Sequence, residues 1–148
     1  MVSFDDFTGE VQHRIKADSR AEAVRTTRAV LETLGERVGE GTATDLAGPL
    51  PMEIDRYLLQ VRHGQSFGYQ DFVDRVVERL AYDDIELGAK FGKPAPVERN
   101  DTVFRIRAVI DFLDEVIEGS DMRNLRNQLP EEYDEIFELA DAEEKPWD

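Results

Sequence analysis

Cysteine is absent from the 148 residues. That excludes disulfides, thiolate nucleophiles, Cys-ligated zinc and iron–sulfur clusters together. Histidine occurs twice, as His13 and His63. The two are far apart, and neither has a second histidine at i+3 or i+4, so no metal site and no catalytic base is read from them. No apolar run approaches the roughly 20 residues that span a bilayer. The opening Met-Val-Ser-Phe-Asp-Asp-Phe lacks a basic n-region and an apolar h-region, so no signal peptide is read and a cytoplasmic location is expected. No G-x-G-x-x-G, P-loop, G-x-S-x-G or H-E-x-x-H pattern occurs. No cofactor is implied and no catalytic residue is nominated.

Lysine is scarce as well. Lys16, Lys90, Lys93 and Lys145 are the only four, against fourteen arginines. Thirty-three acids against eighteen bases give a formal net charge of -15. Duplex binding is led by Lys and Arg contacts to phosphate, and no basic stripe is visible, so nucleic acid is not an expected partner. One reading of the charge is an acidic, well-solvated protein, since net charge speaks to solubility rather than fold. The other is a protein from a salt-loaded cytoplasm: at molar salt the Debye length falls to about 3 Å, so acidic surfaces repel one another little.

What the chain does contain is helical periodicity. Phe4, Phe7, Val11 and Ile15 share one face. Ser3 with Asp6 resembles a capping box, and Ser19-Arg-Ala-Glu22 is a proper one. Val24, Thr27, Leu31, Leu34 and Val38 form the stripe of a long helix, which Gly39 and Gly41 are expected to end. A short helix within 42–48 turns Leu46 inward, and Pro51 suits the start of a helix carrying Ile54, Tyr57, Leu58 and Val61, stopped at Gly64. The plan then recurs. A helix from Tyr69 to Leu80 is followed by a long one from Asp101 to Ile117, a short segment around Leu125, and a last helix with Tyr133, Ile136, Phe137 and Leu139. No stretch sustains the period-2 alternation of strands.

The recurrence is also one of identity. Shifted by 79 positions, Arg28-Ala-Val-Leu31 meets Arg107-Ala-Val-Ile110, and Leu50-Pro51 meets Leu129-Pro130. Ten of the 31 positions from Arg28 to Leu58 are identical, where ordinary residue frequencies give about two. The first helices match at a shift of 65: Phe7 with Phe72, Val11 with Val76, Arg14 with Arg79. The two shifts differ by 14, so the second copy holds an insertion, placed within 82–98. The expected fold is all-α: an internally duplicated helical bundle, two four-helix units about a pseudo-twofold with one shared core. Residues 3–64 form repeat 1, 68–139 repeat 2 and 140–148 an acidic tail, all within a single domain.

The doubled R-A-V-L and L-P-x-E signatures, with the opening F-x-x-F-x-x-x-V, resemble the small helical proteins of domain-of-unknown-function family 2267. The resemblance covers nearly the whole chain. It implies this fold, and the acid excess marks a haloarchaeal-type member. It implies no activity. Its motifs are helix-packing motifs, and the 82–98 insertion and acidic tail depart from a plain duplicate.

Three residues are candidates for a ligand site. Arg28 and Arg107 are equivalent by the repeat. Each either pairs internally with a carboxylate of its own unit, Asp55 and Asp134 being the equivalent candidates, or reaches an anionic ligand across the pseudo-twofold. Phe91 sits in the insertion, either tucked onto the core or presented to a ligand or partner. The tail is expected to fray, with Trp147 either an aromatic anchor for a partner or folded back. A chain rich in core and capping signals and poor in convergent polar groups reads as a non-enzymatic interaction or scaffold module, with a protein partner or self-association. The alternative is a small-ligand binder in the groove between the repeats.

Overall fold

The capping residues act as their chemistry predicts. In the computed structural model, which describes residues 2–81 and 97–148, the Ser3 hydroxyl accepts from the Asp6 amide at 3.1 Å and opens α1, Phe4–Ile15. The Ser19 hydroxyl accepts from the Glu22 amide at 3.2 Å and opens α2, Arg20–Arg37. Each cap satisfies one of the four donors that a helix start leaves open. There follow α3, Glu40–Ala47, and α4, Met52–Leu59, then α5, Tyr69–Ala81. After the undescribed stretch come α6, Arg99–Val116, and α7, Gly119–Gln128. A 3₁₀ helix, Glu131–Phe137, runs into a last turn, α8, Glu138–Asp141. No strand occurs among the described residues.

Helix bounds repeat at the same spacings as the identities. Both ends of α2 and α6 lie 79 positions apart, and α1 and α5 start 65 apart. Three local expectations are corrected. Helix α2 does end just before Gly39, but not through a left-handed glycine: Val38 is its C-cap in extended conformation, Gly39 opens α3 at φ -72, and Gly41 lies inside α3. A buried Val38 takes the position because its side chain packs on the core. Helix α4 stops at Leu59, and Gly64, at φ +76, turns the connecting segment instead. The expected last helix is mostly 3₁₀, in which residues three apart eclipse, so Tyr133 and Ile136 form one buried ridge.

Packing is organised by the two long helices. Helix α2 packs on α1, α4, α5 and α6, while α6 packs on α1, α5, the 3₁₀ helix and α8. Helices α1 and α5 therefore each lie across both long helices. Leu31 and Leu34 of α2 and Ile106, Ile110 and Leu113 of α6 are fully buried in one contiguous core. Phe7 of α1 meets Phe112 of α6 with ring centroids 4.8 Å apart. Burying each such side chain is worth about 1.5–3 kcal/mol. A close approach locks α2 to α4: a Cβ on Gly35 would lie 2.5 Å from the Leu58 carbonyl. The segment after α4 is pinned at the same place, with the Gly64 amide donating to Val38 O and the His63 ring to Gly35 O, each at 2.8 Å.

Candidate functional site

The charged side chains converge in two clusters, each built across the halves of the chain. In the first, Arg14 of α1 reaches α6. Its guanidinium bonds Asp111 Oδ2 at 2.7 Å, Glu115 Oε2 at 2.6 Å and Glu10 Oε1 of its own helix at 2.8 Å. It lies between two rings, 4.8 Å from the Phe112 centroid and 5.0 Å from that of Trp147. Asp111, only 3% exposed at its side chain, also receives Lys145 Nζ at 3.0 Å, and Lys145 donates to the Leu139 carbonyl as well. In the second cluster, Arg79 of α5 reaches α2. It bonds Glu36 Oε1 and Thr33 Oγ1, each at 2.7 Å, and pairs with Glu32 at 3.5 Å. Arg75 joins Glu36 at 3.1 Å and lies 3.8 Å over the Phe67 ring.

The electrostatics favour charged forms throughout. Burial works against the Arg14 cation, but hydrogen bonds and charge from Glu10 and Glu115 outweigh it and raise its pKa. Arg79 is raised in the same way by Glu36. Burial opposes the Glu36 carboxylate, yet Arg79 and Arg75 hold it below the usual range. A general acid or base works best with a pKa near the operating pH. These shifts move away from neutrality, as expected of groups that clamp helices together. Burial raises the Tyr133 phenol, whose hydroxyl donates to the Phe67 carbonyl at 2.6 Å. Burial and Glu135 raise that of Tyr69.

The sequence candidates fall elsewhere. Arg28 pairs with Glu32 at 3.4 Å, one turn along its own helix. Arg107 pairs with Glu138 at 3.3 Å and Glu135 at 3.5 Å, both just C-terminal to the expected Asp134. Phe91 lies outside the described residues. Two shallow cavities of about 460 and 500 Å³ lie along α1: one is lined by Gly9, Gln12, His13, Lys16, Ala17 and Trp147, the other is bordered by Arg14, Phe112 and Glu115. Neither is lined by Arg28 or Arg107. Sequence reasoning passed over Arg14 and Arg79 as binding groups, although the shift of 65 had already paired them. The missing signal was that each reaches the other half. No group of acids or histidines able to hold a metal is present among the described residues. No helix among them is long and apolar enough to cross a membrane.

The sequence model of one family, Uncharacterized conserved protein (DUF2267), matches residues 4–136. The chain belongs to the DUF2267 family. The match takes in α1 to α7 and most of the 3₁₀ helix, and so both charged clusters apart from Lys145 and Trp147. No curated protein matches the chain. The DUF2267 portion ends before the tail that closes the first cluster.

Proposed function

We propose that this DUF2267 protein is a non-enzymatic interaction module of the cytoplasm, made by internal duplication of one helical unit and adapted to high salt. The duplication rests on the clusters. Under the shifts of 65 and 79, Arg14 corresponds to Arg79, Asp111 to Glu32 and Glu115 to Glu36. The two clamps are thus one clamp used twice, each joining the first helix of one unit to the long helix of the other. Charged groups spent on one another leave little convergent chemistry for catalysis, which favours a binding role.

The observation that carries the interaction reading is on α4. Met52 is 81% exposed and Leu59 38%. They lie seven positions apart and so share one helix face. These two outward apolar side chains, with Asp55 and Arg56 between them on that face, support a contact surface, here for a protein partner or a second copy. The test is light scattering and crosslinking of the chain and its Met52→Glu/Leu59→Glu variant, from low to molar salt. Self-association or partner capture by the wild type and its loss in an equally helical variant is expected. A wild type that stays monomeric and captures the same proteins as the variant defeats the reading. An anionic ligand between the units has less support, because it must compete with Glu32 at Arg28 and with Glu135 and Glu138 at Arg107.

A further inference from the structure

We infer that residues 142–148 are a strap that docks on α1 and α6 at high ionic strength and lets go when salt is withdrawn. Among the described residues its attachment runs through two side chains. Lys145 reaches Asp111 and the Leu139 carbonyl, and Trp147 covers Arg14. On either side of them Glu143, Glu144 and Asp148 are exposed. Three acids and one lysine give the strap a net negative charge. It lies on a body that is itself strongly acidic, with Glu10, Asp111 and Glu115 gathered at Arg14 on the docking face. Lys16 and His13 line the cavity beside Trp147.

Two kinds of force then compete, and salt acts on them unequally. The repulsion is between exposed charges spread over the surface. It reaches about 30 Å at 0.01 M salt and about 3 Å at 1 M. The attachment is short-ranged and sheltered: the Lys145 and Asp111 side chains are 17% and 3% exposed. Salt therefore removes the repulsion first and leaves the attachment. Release is also cheap for the body. Asp111 keeps Arg14 at 2.7 Å, and Arg14 keeps Glu10, Glu115 and Phe112. The core need not open when the strap does.

Trp147 is the only tryptophan, so its fluorescence reads the strap directly. The experiment follows its emission maximum and acrylamide quenching from about 0.01 M to about 3 M NaCl, with far-UV circular dichroism alongside and free N-acetyltryptophanamide as control. Quenching at least about twofold weaker at the high-salt end, with a blue shift and unchanged helicity, is expected. Glu143→Gln/Glu144→Gln should move the midpoint to lower salt, and Lys145→Gln to higher salt. The inference is overturned if quenching does not depend on salt, or if emission and helicity change together as in whole-chain unfolding. It is equally overturned if the glutamine pair leaves the midpoint in place.

Discussion

Thr27 is fully buried in α2, and its hydroxyl finds no hydrogen-bond partner among the described residues. Its counterpart 79 positions on is Ile106, also fully buried. Burying a hydroxyl without a partner costs about 1–3 kcal/mol, so Thr27→Val, of nearly the same shape, should raise stability by about 1 kcal/mol in urea unfolding. Glu36 makes the opposite point. Its carboxylate is held below the ordinary 4.5 because Arg79 and Arg75 outweigh burial. The folded state then binds fewer protons than the unfolded chain as pH falls. The stabilisation is complete above about pH 4.5 and is lost as pH drops through the lower, folded value. Glu36→Gln should cost about 1–3 kcal/mol near neutral pH, and the gap to wild type should close in acid. A gap that is constant with pH would show that Glu36 acts by packing rather than charge.

The same logic governs how elements meet. Gly35 lets α2 approach α4 to a distance that no other residue allows, since a Cβ would lie 2.5 Å from Leu58 O and 2.9 Å from Val61 Cγ2. Alanine is the better helix former by about 1 kcal/mol, but forcing backbone apart costs about 1–3 kcal/mol. Gly35→Ala should therefore destabilise, and the loss of the His63 and Gly64 hydrogen bonds should show as faster amide exchange at Gly64. The equivalent position in α6 is Asp114, and the 3₁₀ helix stands there in place of α4. The caps at Ser3 and Ser19 and the stripes of α2 and α6 were legible in the sequence, because they depend on neighbours three and four residues away. The way α2 ends was not. Glycine propensity pointed to a left-handed cap at Gly39, whereas a buried Val38 in extended conformation is the C-cap.

At the scale of the molecule, the halves are crossed rather than side by side. Each first helix lies on both long helices, and each clamp joins opposite halves. Neither half can lose its core without exposing the other's. Leu31→Ala and Ile110→Ala should each cost about 2–5 kcal/mol, and each should keep a single unfolding transition with an unchanged denaturant slope. A second transition in either variant would mean that the halves fold as separate units. Charge belongs to this scale too. A body at -15 repels itself, and the strap that carries Trp147, held among the described residues through Lys145 and Trp147, is where we propose that this repulsion tells.

Composition and periodicity alone were enough for the all-helical class, the order of α1 to α7 and the buried stripes. These depend on short-range spacing, and spacing is written along the chain. Only the tertiary structure decided that Arg14 and Arg79 cross to the opposite half, that Arg107 takes Glu135 and Glu138, and that the tail folds back through Lys145 and Trp147. A long arginine or lysine side chain can reach any carboxylate that packing brings near it. Partners about a hundred residues apart, such as Arg14 and Glu115, meet only once the core has closed.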